Sequence, residues 1–125
     1  MDKNILIELN AALSRYIEVH DSVFTQKFGQ KIDYDNLVEK LRTVSDTLNK
    51  LKLAEFENSN LNNAVDIYID ALLITINQLS IIITKLEEKA NGGGYGFFAY
   101  RKDLKVYNNL EKQHASLGSS LNTFV

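Results

Sequence analysis

The chain has two histidines and no cysteine, so His20 and His114 are the first side chains to consider for metal binding or catalysis. His114 follows Glu111 by three positions, which places both side chains on one helix face, the spacing with which helical bundles supply metal ligands. Such a site needs a second pair of this kind, and the sequence contains no other Glu-x-x-His. Both histidines also lie on apolar stripes. We therefore predict core histidines with hydroxyl or carbonyl partners, and no metal site.

Two short motifs around these histidines suggest other chemistry. Arg15 and His20 have the Arg-x4-His spacing of HEPN-type ribonucleases, which are all-helical domains of similar length. This resemblance implies that the arginine holds a phosphate while the histidine transfers a proton. Residues 114–118 resemble the His-x-x-Lys-Gly stretch of histidine phosphotransfer domains, although Leu117 stands at the lysine position. The alternatives to a binding protein are thus a ribonuclease using Arg15 and His20, and a phosphorelay or metal module using His114.

The most distinctive local feature is the glycine-rich segment 91–96, which cannot hold a helix. It is not a phosphate-binding P-loop, because it lacks the Gly-Lys-Ser/Thr signature and follows a predicted helix rather than a strand. Its amides, together with nearby basic side chains, suggest an anion site. The aromatic residues here predict either a plug at the open end of a bundle or a partner-binding surface, since aromatics are enriched at interface hot spots. The residues assigned to that surface are Tyr95, Phe97, Phe98, Tyr100 and Arg101.

A row of isoleucines forms the second candidate surface. Ile67, Ile74 and Ile81 recur every seven residues, so they share one seam of a helix. They either pack against a neighbouring helix or form an exposed apolar strip. In the second case we expect a protein partner or a homodimer mate to cover them.

The elements that carry these residues are all predicted to be helices. Apolar residues recur at spacings of three and four in four segments, and the chain contains no proline to break them. The segment 60–89 is apolar over more than half of its circumference, which predicts a central helix with several neighbours. Gly29 is expected to end the first helix (2–28), Asp33 to cap the second, and residues 57–60 to cap the third. Because the links are short, we predict one domain, residues 1–125, folded as an all-α, antiparallel up-down-up-down four-helix bundle.

Composition narrows the function. The net charge of −2 argues against a nucleic-acid partner bound by bulk electrostatics. The first residues lack the basic start of a signal peptide, and the longest uncharged run, residues 71–84, is shorter than the roughly 20 apolar residues of a membrane span. We therefore expect a cytoplasmic, non-enzymatic protein that uses no cofactor and contacts neither a membrane nor nucleic acid. It would act through contacts with another protein, as an adaptor, a secretion or assembly chaperone, or an immunity-type inhibitor.

Overall fold

The computed structural model describes residues 2–121, apart from the side chain of Ser120. Within these residues the chain forms four helices and no strand: α1 (Asp2–Phe24), α2 (Tyr34–Lys52), α3 (Ser59–Ala90) and α4 (Phe97–Leu121). Each helix packs against the next one in the chain. Tyr16 in the middle of α1 meets Tyr107 of α4, while Phe28, just beyond α1, meets Tyr100 nearer the start of α4, so α1 and α4 run antiparallel. The predicted all-α four-helix bundle is confirmed.

The third helix is the centre of the core. It packs extensively against α2 and α4 and touches α1 across the bundle. Among the described helices, α3 alone is long and apolar enough to cross a membrane, with a mean hydropathy of 1.7 over its most apolar stretch. Buried core helices of soluble proteins reach the same length and hydropathy. Its buried side chains come from every turn, as the wide apolar arc predicted: Leu61, Val65, Tyr68, Ile69, Leu72, Thr75, Ile76, Leu79, Ile82, Ile83 and Leu86.

The predicted helix starts of α2 and α3 are confirmed. The Asp33 carboxylate accepts the backbone N–H of Asn36 at 3.1 Å and caps α2. The Asn58 side chain caps α3 by accepting the N–H groups of the second and third residues of that helix, at 3.0 and 3.2 Å. The Asp2 carboxylate accepts the N–H groups of Glu57 and Asn58, at 2.8 and 3.3 Å. The α2–α3 link is thereby tied to the first turn of α1.

The predicted end of the first helix is wrong by four residues. The helix ends at Phe24 rather than at residue 28, and Gly29 closes a separate turn, in which its φ is +82°. The Thr25 hydroxyl donates to the Asp21 carbonyl at 2.8 Å, which occupies an acceptor at the helix end. Leaving the helix also lets the Phe28 ring stack on Tyr100, with centroids 5.0 Å apart. Because this aromatic contact joins residues that are far apart in the sequence, the helical periodicity of α1 could not predict it.

Candidate functional site

The bundle is open between α1 and α4. The backbones of these two helices approach each other less closely than do those of the sequential helix pairs. A groove of about 760 Å³ occupies the gap, a volume typical of ligand-binding pockets. Its walls are residues 3–17 of α1 and 111–121 of α4, and the Tyr68 ring of α3 forms part of the floor. A Cβ added to Gly118 would lie 3.1 Å from that ring, so the glycine lets the floor approach α4.

A polar cluster, made of Tyr16, His20, Tyr107 and Glu111, joins the two helices at the inner end of this groove. The two tyrosine hydroxyls are 2.5 Å apart, and the Tyr107 hydroxyl is 2.7 Å from Nδ1 of His20. The Glu111 carboxylate lies 3.1 Å from the same His20 nitrogen and accepts the Tyr16 hydroxyl at 3.2 Å. The cluster therefore bridges α1 and α4 where their backbones stand apart.

Burial keeps the tyrosines of the cluster protonated. Loss of solvent raises the pKa of both Tyr16 and Tyr107 far above the ordinary tyrosine value, and the Glu111 charge raises both further. Burial also raises the pKa of Tyr68, in the groove floor, to about 12. Both cluster hydroxyls therefore keep their hydrogens at neutral pH. One of these hydrogens lies in the bond between the two tyrosines, and the other is available to the Glu111 carboxylate.

His114 is a core histidine, as predicted, with an exposed fraction of 5%. Its Nδ1 lies 3.3 Å from Oγ1 of Thr75, which already donates its single hydrogen to the Ala71 carbonyl at 2.9 Å. The Thr75 hydroxyl can therefore only accept, so we assign the proton of His114 to Nδ1 and a free lone pair to Nε2. Burial lowers the pKa of His114, which favours this neutral form.

His20 differs from the prediction in two respects. Its side chain is 26% exposed rather than buried in the core, and besides the expected hydroxyl partner, Tyr107, it meets the Glu111 carboxylate, which was not predicted as its partner. Arg15 is exposed. Residues five apart on a helix lie roughly 140° apart around its axis, so Arg15 and His20 occupy different faces of α1. Among the described residues, no group of three or more His, Asp or Glu side chains is placed to hold a metal ion.

The aromatic residues near α4 divide into packed and exposed members. The aromatic plug consists of Phe28, Tyr95, Phe97 and Tyr100, whose rings contact one another at centroid distances of 5.0 to 6.3 Å. Tyr95 is buried, whereas Phe97 keeps about half of its surface exposed. Tyr95 and Tyr100 thus pack as the first of the two predicted alternatives describes, while Phe97 contacts them and stays half exposed.

Phe98 and Arg101 lie outside the plug. Phe98 is 86% exposed and Arg101 is also exposed, so both remain accessible to a partner. Whether any of these aromatic residues binds a partner stays a prediction.

The isoleucine strip, Ile67, Ile74 and Ile81, faces outward from α3. The three side chains are 56%, 57% and 39% exposed, so none of the four described helices fully covers the row. Asp70, which lies one helical turn from both Ile67 and Ile74, forms an ion pair with Lys52 of α2. The strip is thus the exposed alternative of the two that the spacing allowed.

Neither the groove nor the polar cluster was predicted from the sequence. A signal for the cluster was present: in an antiparallel bundle Tyr16 and His20 of α1 lie opposite the inward-facing Tyr107 and Glu111 of α4. No sequence pattern reports the spacing of two helix backbones, so the groove carried no comparable signal. Comparisons with protein-family models, with curated proteins and with solved structures found no match for this chain.

Proposed function

We propose that this chain is a non-enzymatic, cytoplasmic binding protein, and that a helix of a protein partner lies along the isoleucine strip. The observation that carries the proposal is the exposure of Ile67, Ile74 and Ile81 on the outer face of the central helix. Single exposed apolar residues are common on soluble proteins, but an aligned row of them forms a continuous apolar surface, which is typical of a protein-binding site.

The spacing of the strip favours a helical partner. A row repeating every seven residues is the seam along which two helices pack, and from Ile67 to Ile81 it extends roughly 21 Å at 1.5 Å per residue. Charges of both signs lie near the strip, since Asp70 is paired with Lys52 of α2 and Lys85 lies with Glu88 beside Ile81. The strip therefore favours a partner helix with an apolar seam and does not require one sign of charge at its flanks.

Phe98 and Arg101 provide a second candidate contact for the same partner. Both are exposed in the first turns of α4, and aromatic and arginine side chains are frequent at interface hot spots.

The placement of the histidines favours binding over catalysis. His114 is 5% exposed, is bonded to Thr75 and borders the groove beside the Glu111 carboxylate rather than beside a cation, and His20 is engaged by Tyr107 and Glu111. A ribonuclease or phosphorelay needs an accessible imidazole beside a phosphate-binding cation. Arg15 and His20 lie on different faces of α1, which does not favour the ribonuclease alternative.

Site-specific photo-crosslinking in the native cell tests this function. A photoreactive side chain at position 74 is expected to crosslink to a helix of one defined protein, identified by mass spectrometry of the linked peptide. The matched control is the same side chain at Val106, which is 47% exposed on α4 and lies outside both the strip and the groove. A crosslink to a second copy of this chain would identify the homodimer alternative, which sedimentation as a dimer at micromolar concentration would support. No crosslink at position 74, or equal crosslinks at 74 and 106, would overturn the proposal.

A further inference from the structure

We propose that the groove between α1 and α4 is a binding site for a small amphiphile, a molecule with an apolar body and a hydroxyl or ammonium head. The apolar body lies between the two helices, and the head meets His114 and Glu111 at the inner end. This site is separate from the isoleucine strip, since its walls belong to α1 and α4.

The lining of the groove fits an apolar body. Aliphatic side chains of α1, among them Leu6 and Leu13, face Ala115 and Leu121 of α4 across the gap. Ile7 and Ile17 also line it and remain 55% and 45% exposed, so an occupant would remove further apolar surface from water.

The dimensions of the groove fit a small molecule. Its walls extend roughly 15 to 20 Å along the helix axes at 1.5 Å per residue. A volume of about 760 Å³ lies within the range of small-molecule pockets. The groove can therefore hold a small ligand along its length.

The inner end of the groove selects the head group. With the His114 proton assigned to Nδ1, Nε2 is a hydrogen-bond acceptor, and the Glu111 carboxylate accepts as well. Both residues line the groove, with His114 at 5% and the Glu111 side chain at 34% exposure, so this end offers a buried acceptor and a partly exposed negative charge. A hydroxyl or an ammonium group donates to such acceptors, whereas a carboxylate has no proton to offer and is repelled. The cationic side chains on the groove, Lys3 and Lys112, are exposed at its rim.

Three ligands of equal chain length test the head group: 1-decanol, titrated below its solubility limit, and decylamine and decanoate, each titrated below its micelle concentration. Binding is followed by NMR shifts of groove residues. Decanol and decylamine are expected to bind, and decanoate at least tenfold more weakly. The Glu111→Gln variant then distinguishes the ammonium head from the hydroxyl head. It removes the negative charge and keeps an acceptor oxygen, so it should weaken the binding of decylamine several-fold and leave the binding of decanol nearly unchanged. Equal or tighter binding of decanoate would overturn the head assignment, and failure of all three ligands would overturn the site.

Two alanine substitutions on one helix test the location. Ala115 and Ala99 are both exposed on α4, but only Ala115 lines the groove. Ala115→Phe is expected to fill the groove and weaken decanol binding at least tenfold, while Ala99→Phe leaves it unchanged and both variants keep the wild-type thermal midpoint. Unchanged binding by Ala115→Phe would overturn the site as well. The crosslink at position 74 is expected to persist in Ala115→Phe, so the two proposals can fail independently.

Discussion

Asp103 shows how one side chain can join several parts of this fold. Its carboxylate accepts the Tyr95 hydroxyl at 2.7 Å and pairs with Lys85 of α3 at 3.0 Å. Burial alone would raise the pKa of Asp103, but the hydrogen bonds from Tyr95 and Lys85 together outweigh it and hold the pKa below its usual value. The ionised form of the Asp103 side chain is therefore more stable in the folded chain than in the unfolded one.

This shift predicts a pH-dependent cost for Asp103→Asn. Because the folded-state pKa is depressed, the carboxylate stabilises the fold at pH values above its ordinary pKa of 3.8, and this contribution is lost as pH falls through the lower folded value. We expect the substitution to lower the free energy of unfolding by about 1 kcal/mol at pH 7 and by much less near pH 2, measured by urea denaturation. Asp46→Asn, at an exposed position of α2, should have little effect at either pH. A cost that is independent of pH would contradict the assignment.

At the same scale, local rules identified some residues and missed others. Asp33 and the polar run before α3 were recognisable as caps because a cap depends only on residues within one turn. The partner of His114 was predicted by class, as a hydroxyl or carbonyl, since a buried imidazole must be satisfied. Glu111 was considered only as a metal ligand, because its actual partners, Tyr16 and His20, lie on a different helix.

The end of α3 shows what fixes an element boundary in this chain. The Gly92 N–H donates to the Lys89 carbonyl at 3.1 Å and the Gly93 N–H to the Glu88 carbonyl at 2.7 Å, which is the hydrogen-bond pattern of a Schellman motif. Gly92 adopts a φ of +89°, a conformation that L-residues with a Cβ reach only at a cost. The glycine run was predicted to stop the helix, and this geometry is the reason that it does.

The motif predicts unequal effects for two alanine substitutions in one loop. Gly92→Ala should lower the free energy of unfolding by about 1–2 kcal/mol, because it forces a side chain into the left-handed region. Gly94 has an ordinary φ and open space around the position of a Cβ, so Gly94→Ala should change stability by less than about 0.5 kcal/mol. Urea denaturation of both variants gives the comparison. Equal losses would show that the loop senses volume rather than the backbone conformation of Gly92.

At the scale of the whole molecule, the bundle is held together unevenly. The central helix is enclosed by its neighbours, and three sequential helix pairs share close backbone contact. Between α1 and α4 the polar cluster is the main bridge near the middle of α1, and the groove separates the helices beyond it. The helix count and order followed from periodicity, but this asymmetry depends on side-chain volumes across two helices distant in sequence.

This asymmetry predicts how the chain opens under native conditions. Native-state hydrogen exchange monitored by NMR should find the slowest amides in the middle of α3, residues 69–83, exchanging only through global unfolding. Residues 6–13 of α1 border the groove on one side, so their amides should exchange through a local opening of the helix. The free energy of this opening should be at least about 1–2 kcal/mol lower than that of global unfolding, which corresponds to exchange roughly 5 to 30 times faster. Residues 16–23 of the same helix provide the internal control, because the polar cluster ties them to α4 and their protection should be intermediate. Uniform protection along α1 would mean that the groove does not weaken the bundle, and that α1 and α4 are coupled over their whole length.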